Sequence, residues 1–430
     1  MNVKQFPKIL FLLCFIACVA AVSSASSWRE DVIANLGGEP SWTVMLYLDG
    51  DEISMEQDFV AAFRNMAEAK AGSSANVNIV VQFDRLPDNV TDYGDWSITH
   101  RFYLTPGLEP TEENAIADWG DGKGGREVDM ADPDTLLDFV NWTISNYPAD
   151  KYALVIGDHG YGWKGMAVDT TSHGDFLKVK ELKDALTSVP VMIDLLAFDA
   201  CLMQMVEVAY ELRNTGVGII VGSELPGTTW PFAEIVSALT DNPSISPRDL
   251  GARINDLYFE AHAGEKDITL STLDVTKIGP LAEAIGNFAA VSIAGSSDDI
   301  VRERAETVVD NIEQAVVYSR NSADWEGYVS GLSIFFPLED TLESNKIVLG
   351  VGSSIPPEFF YFYTRQITGF AEETLWRDLL FLFYNMDERI SGALFKARFA
   401  IQDEGRAIDN ENVDLYDLFR RVVENLKLEE

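Results

Sequence analysis

Cysteine is nearly absent from this chain, with three in 430 residues. Two of them, Cys14 and Cys18, lie in an apolar N-terminal segment, so a chain that sheds this segment keeps Cys201 alone. A lone thiol excludes an internal disulfide framework. Histidine is also scarce: there are four, no two have metal-ligand spacing, and a zinc site is therefore not expected. Positive charge is in deficit. Lys and Arg number 32 against 69 Asp and Glu, a formal net charge of −37, which disfavours nucleic acid and anionic membrane surfaces as partners. The same excess favours cationic ligands, although an acidic surface also serves solubility and salt tolerance in general. Beyond the N-terminus no apolar run approaches the roughly 20 residues that span a bilayer. Gly-x-Ser-x-Gly, phosphate-binding glycine loops and dinucleotide fingerprints are all missing.

The N-terminus carries Lys4 and Lys8, then an apolar stretch from Ile9 to Val22, then Ser23-Ser24-Ala25-Ser26. That order is basic, apolar, small, as in a signal peptide over residues 1–25 with cleavage after Ala25. A second reading of Phe15-Ile16-Ala17-Cys18 is a lipoprotein signal that leaves Cys18 lipid-modified and the chain anchored. Both readings predict an exported protein: secreted, periplasmic or held at the cell surface. An apolar content of 47% argues for a folded chain. Asn89-Val90-Thr91 and Asn141-Trp142-Thr143 are formal glycosylation sequons.

Residues 40–245 alternate apolar strand runs with amphipathic helical runs. Trp42–Leu48 reads as a strand, Ser54–Lys70 as a helix and Val77–Phe83 as the next strand. Residues 86–131 read as loops around a hairpin near Trp96–Leu104. Asp132 is suited to cap a helix that opens on Pro133 and stops at Pro148. Tyr152–Gly157, Val191–Phe198 and Val217–Gly222 read as buried strands, with a helix near Lys178–Leu186 and another from Leu202 to about Asn214. Continuous apolar strands between helices predict a mostly parallel sheet covered on both faces. In such sheets the site lies beyond the carboxyl ends of the strands. Asp158-His159, Asp199-Ala200-Cys201 and Ser223-Glu224 all fall there. Residues 246–430 read as mainly helical, through Asp249–Ala263, Ile278–Val291 and Asp298–Ser319, and contribute strands near 268–273 and 331–336. The composition shows no sharp shift at 245.

A cysteine nucleophile needs thiolate character, which a helix N-terminus and a nearby imidazole supply. Cys201 precedes the expected helix, and His159 ends the neighbouring strand, so the two can form a nucleophile–base dyad. The amides of Gly160 and Cys201 are candidate oxyanion donors. Asp199, two residues before the thiol, can sit at the base of a substrate pocket and select arginine or lysine. A helix-capping role is the alternative for Asp199, and Glu224 is an equally ambiguous substrate-binding candidate. His173 follows no strand and reads as a loop residue, while His100 and His262 read as structural.

Phe198-Asp199-Ala200-Cys201-Leu202-Met203, followed by Glu207-Val208-Ala209-Tyr210, resembles the nucleophile motif of the clostripain family of cysteine peptidases. Asp158-His159-Gly160 with Gly162-Trp163 resembles that family's histidine motif. Ser223-Glu224, Pro226-Gly227, Trp230-Pro231 and Ser330–Pro337 resemble further family segments, so the likeness runs from about residue 42 to 340. The resemblance implies a caspase-like α/β/α sandwich, shared with gingipains, caspases and separases. It implies a His159/Cys201 dyad that cleaves protein or peptide substrates after Arg or Lys, with Asp199 in the specificity pocket. It also implies self-cleavage between the two motifs, where Lys164, Lys178, Lys180 and Lys183 lie. No cofactor is required by this chemistry, although some members depend on calcium and others do not. Tyr161 and the segment Pro226–Trp230 depart from the family pattern, which bears on specificity more than on peptidase chemistry. A catalytically silent module of the same fold and a peptide ligase using the same thiol are the rival functions. Oligomeric state is not legible.

Overall fold

The structure is a computed structural model that describes residues 41–116, 119, 125–327, 329–337, 363, 365–384, 390, 392–409 and 411–427. The N-terminal segment, with Cys14 and Cys18 and both readings of its signal, lies outside them.

A nine-stranded sheet organises the chain, in the order β11-β10-β9-β8-β5-β1-β2-β3-β4. Its parallel centre is β9 (Val217–Gly222), β8 (Ile193–Asp199), β5 (Lys151–Gly157), β1 (Trp42–Gly50) and β2 (Val77–Arg85). On one side β3 (Thr99–Tyr103) and β4 (Gly125–Arg126) add antiparallel strands; on the other, β10 (Thr269–Asp274) and β11 (Val316–Asn321) do the same. The sheet therefore crosses residue 245, and the strand expected near 268–273 is part of it. Among the described residues two small antiparallel pairs complete the strands: β6 (Met166–Asp169) with β7 (Asp175–Leu177), and β12 (Ser333–Phe335) with β13 (Asn412–Asp414).

All nine residues of β1 are buried, because helices cover both faces. Val44, Leu46 and Leu48 pack on one side against α1 (Ile53–Glu68), α5 (Phe232–Asp241) and α6 (Pro247–Ala261). Met45 and Tyr47 point to the other layer. That layer holds α2 (Pro133–Asn146), α3 (Val179–Thr187), α4 (Val206–Leu212), α7 (Ile278–Ile293) and α8 (Asp298–Ala315). The later helices α10 (Trp376–Tyr384), α11 (Gly392–Asp403) and α12 (Leu415–Lys427) join the same core, as does the short α9 (Thr368–Glu373) through Phe370. Each large aliphatic or aromatic side chain buried this way contributes about 1.5–3 kcal/mol. The α/β/α sandwich with a mostly parallel sheet is thus the observed architecture.

Two helices differ from expectation. The run after Cys201 becomes helical only at Val206, because Leu202 N–H bonds Leu225 O and Gln204 N–H bonds Ser223 O. Those amides are spent on the chain leaving β9 and cannot open a helix. The helix from Asp298 ends at Ala315, and Val316–Asn321 becomes β11 because its β-branched opening pairs with β10. Asp132 caps α2 as expected, its carboxylate accepting from Asp134 N–H.

The crossovers fix where a ligand can sit. After β1 the chain crosses by α1 on one face; after β5 it crosses by α3 on the other. The strand order therefore reverses direction between β1 and β5, and a crevice opens beyond their carboxyl ends.

Candidate active site

β5 and β8 are adjacent and parallel, with Gly157 opposite Asp199. One more ladder bond, Asp158 N–H to Asp199 O at 3.2 Å, carries the pairing past the strand ends. The next residues, His159 and Cys201, consequently emerge side by side and border one cleft of about 200 Å³. Gly160 makes this approach feasible. A Cβ there would lie 2.0 Å from Cys201 O, so the two backbones are in direct contact and no larger residue fits. Tyr161 N–H to Gly165 O and Ala167 N–H to His159 O tie the histidine loop to the β6–β7 hairpin and leave the Gly160 amide out of that ladder.

Cys201 is half-buried, and Gly227 N–H donates to its Sγ at 3.2 Å. Burial pushes the thiol above its ordinary value, with Asp199 and Asp158 adding to the rise and the Gly227 hydrogen bond opposing it. The helix N-terminus expected to acidify the thiol is not there, since α4 starts at Val206. A neutral resting thiol therefore needs a base. His159 Nε2 stands 3.5 Å from Glu52 Oε2, the ring 39% and the carboxylate 35% exposed. Glu52 also caps α1, accepting from Ser54 and Met55 N–H. Burial works against ionisation of its carboxyl, but the Ser54 and Met55 hydrogen bonds and the nearby His159 outweigh it and hold it below its ordinary value.

The cleft floor is acidic and its walls are apolar. Asp199 is 9% exposed. Its carboxyl is raised well above the ordinary range by burial, and next by Asp58. Met55, Phe59, Ala62, Trp230 and Phe232 line the walls, with Thr228 and Thr229 at the rim. No Lys or Arg among the described residues pairs with Asp199 or Asp58. Asp199 does not cap a helix, because the residues after it form a turn.

Glu224 is a correction. It is fully buried, absent from the cleft lining, and raised well above its ordinary value by burial and by the neighbouring Asp414. Beyond β9 the chain turns Glu224 inward, so Gly227–Trp230 form the cleft wall instead. His173 sits in the β6–β7 turn with φ of 69°. His100 is buried edge-on against Trp96, and His262 packs on Tyr258 with its Nε2 2.8 Å from Thr229 O. Neither lines the cleft.

Two residues near His159 and Cys201 escaped sequence reasoning. Glu52 and Asp58 come from the start of α1, and their signal was the acidic segment leaving β1. A set of buried carboxylates also gathers beside His159. Oxygens of Asp51, Asp84 and Asp169 all lie within 4.8 Å of one another. Burial raises Asp51 to about 7 and Asp158 to about 8, and lifts Asp49 and Asp84 well above their ordinary value. The His and Cys spacing that makes zinc unexpected says nothing of an all-oxygen site.

Comparison with known proteins agrees with this architecture. The chain is 33% identical to clostripain from Hathewaya histolytica over 200 residues, covering 40% of this chain and 36% of that relative. The match thus spans about a third of the relative's length. A secreted C11 cysteine protease from Bacteroides thetaiotaomicron, solved with an irreversible peptide inhibitor, superposes with a TM-score of 0.58 at 19% identity. That superposition covers 79% of this chain and 99% of the other. An inactive zymogen C11 protease from Parabacteroides distasonis gives 0.50 at 20% identity, over 76% and 98%. The profile of the clostripain family, peptidase family C11, matches residues 46–419, and the chain belongs to that family of cysteine peptidases.

Proposed function

We propose that the protein is an exported cysteine endopeptidase that cleaves after Arg or Lys through a Cys201/His159 dyad. The observation that carries this reading is a single cleft bordered by both side chains and floored by an unpaired, buried Asp199. In the reaction, Cys201 Sγ passes its proton to the His159 imidazole and attacks the carbonyl carbon before the scissile bond. The carbonyl π pair becomes an oxyanion that faces the Gly160 and Cys201 amides. Collapse breaks the C–N bond, and the imidazolium proton leaves on the amine. Water, giving a proton to His159, then attacks the thioester; the acid departs and the proton returns to sulfur. Glu52 acts as a positioning residue, holding the ring and balancing its charge during the step in which it is cationic.

The apolar walls suit the aliphatic stem of a Lys or Arg side chain, and Asp199 with Asp58 suits its charged head. Self-cleavage belongs to the same reading, and a protease needs an extended segment. Lys180 and Lys183 lie inside α3 and Lys164 in a 3-10 turn, which leaves Lys178, extended just before α3, as the cleavage point. The export part of the proposal rests on the N-terminal sequence and on the secreted relative. Among the described residues no helix is long and apolar enough to cross a membrane.

The test is a fluorogenic peptide panel varied at the residue before the scissile bond. Turnover confined to Arg and Lys substrates, abolished in Cys201→Ala, is the expected result. Inactivity of the processed wild-type chain, or full activity of Cys201→Ala, would overturn the reading.

A further inference from the structure

The sulfur of Cys201 lies among groups that mostly oppose its ionised form. Asp158, His159 and Tyr161 stand around it from the end of β5, Asp199 from β8, Tyr258 from α6 and Asp58 from α1. Of these six only His159 can carry positive charge, and no Lys or Arg lines the cleft. Helix α4 opens at Val206, too far along to offer its N-terminal amides. Something other than a helix end must therefore meet the negative charge that builds on sulfur as His159 takes its proton.

The Gly227 amide points there, 3.2 Å from Sγ, and it is held from both sides. Upstream, Leu202 N–H donates to Leu225 O, so the residue after the nucleophile pins the start of the same segment. Leu225 N–H in turn donates to Ser223 Oγ at 3.1 Å. Downstream, Thr228 N–H donates to Tyr258 Oη at 3.1 Å. Thr229 O stands 2.8 Å from His262 Nε2; a carbonyl can only accept, so that nitrogen carries the hydrogen. Glu265 Oε1, 3.0 Å from Nδ1, fixes the ring at its other end. Tyr258 is 1% exposed and packs edge-on to Trp230. The backbone on either side of Gly227 is thus tied to the turn after Cys201 and to the end of α6, and both anchors aim the amide between them at sulfur.

We propose that the Gly227 amide is a catalytic hydrogen-bond donor to the Cys201 thiolate, with Tyr258 and His262 as the positioning residues that hold it there. The proposal rests on Cys201 being the nucleophile, the reading given above. A hydrogen bond to a charged acceptor is stronger than the same bond to a neutral one, so the amide favours thiolate over thiol. The behaviour of the sulfur agrees in sign: burial raises its pKa most, and the Gly227 bond opposes that rise more than the thiol's own backbone amide does. When the proton passes from sulfur to the His159 ring, the same N–H meets the lone pair left behind. The Leu202–Leu225 bond that denies Cys201 a helix N-terminus therefore brings a single amide in its place.

The test is the pH profile of Cys201 alkylation by iodoacetamide in the full chain, read by mass spectrometry on the peptide that carries this residue. The reagent is small and neutral and reports the thiolate without a substrate. Tyr258→Phe keeps the buried ring and removes the acceptor of Thr228 N–H; His262→Ala removes the donor to Thr229 O. Each should slow alkylation about threefold near neutral pH and the double variant about tenfold, the usual worth of a hydrogen bond to a charged group. As pH rises toward full ionisation the gap should close or slightly reverse, because a more basic thiolate is the better nucleophile. On Arg and Lys peptides kcat should fall by the same factors with KM little changed. Slowing that is equal at every pH reports altered access or packing and would overturn the proposal, as would profiles identical to the parent's or an undiminished kcat. Inactivity of the parent on every peptide is a different result: it sinks the peptidase reading, while pH-dependent slowing in the variants would still leave Gly227 as the donor to sulfur.

Discussion

Replacing Asp199 by Asn isolates the specificity argument from the chemistry. The side chain is almost fully buried at the floor of an apolar cleft, and the substitution keeps its volume while removing its charge. A bound Lys or Arg head would then be desolvated without its main counter-charge. Breaking one partner of a buried ion pair costs about 3–5 kcal/mol. Asp58, which acts electrostatically on Asp199, remains to offset part of that loss, so the lower bound applies. About 3 kcal/mol is a fall of roughly 150-fold in kcat/KM for Arg and Lys substrates at 1.36 kcal/mol per decade. A neutral isostere at the same position, such as norleucine or glutamine, should change by less than about threefold, since no charge is stranded. The pH dependence carries a sign. Asp199 is raised in the free protein, so a cationic substrate must displace its proton, and the Arg-to-norleucine rate ratio should climb as pH rises. Taking the ratio cancels the titration of Cys201, which both substrates share. In Asp199→Asn the ratio should be small and flat with pH. Steady-state kinetics over four substrates and a pH series measure all of this. A variant that keeps its preference for basic residues would refute the assignment of Asp199.

Glu52→Gln should lower kcat about tenfold with KM unchanged, a fraction of the 10²–10⁴ that general acid–base catalysis supplies; an equal rise in KM would point to a role in binding instead. Gly160→Ala sets a methyl group against the Cys201 backbone carbonyl and should lose about 100-fold in kcat by pushing His159 away from Cys201. Circular dichroism with active-site titration separates that outcome from misfolding. Glu224→Gln should stabilise the chain increasingly with pH. The folded pKa is raised, so the penalty is missing below the unfolded value near 4.3 and grows by about 1.4 kcal/mol per pH unit above it, until the folded value is passed. Thermal unfolding of Cys201→Ala with and without the change, from pH 4 to 8, checks the widening gap.

The sheet was legible because both of its faces are covered. Strands such as Val217–Gly222 carry unbroken apolar runs that only a doubly buried position rewards, and their ends therefore announced His159 and Cys201. Where local pattern failed, a distant segment had claimed the same backbone or side chain. The residues after Cys201 have helical periodicity, but Leu202 at φ 65° gives its N–H to the chain leaving β9. The Val316 segment continues a helical run by composition, and the unpaired edge of β10 draws it into a strand.

Glu224 and Asp199 show why strand ends locate a site without assigning its members. Both are acids at the carboxyl end of a parallel strand, and nothing local separates them. What separates them is their surroundings: Asp199 keeps an open side toward the cleft between α1 and the Gly227–Trp230 wall, whereas Asp414, from the far C-terminal β13, closes over Glu224. The same reasoning covers the acids near His159. A search for metal ligands by spacing looks for residues one or two helical turns apart, and here each carboxylate comes from a different strand end. Parallel strands converge on one edge regardless of their separation in sequence, so the edge gathers charge that no local motif records. An acid placed there must meet a substrate cation, a metal ion or a proton, and which of the three it meets is fixed by the packing behind it.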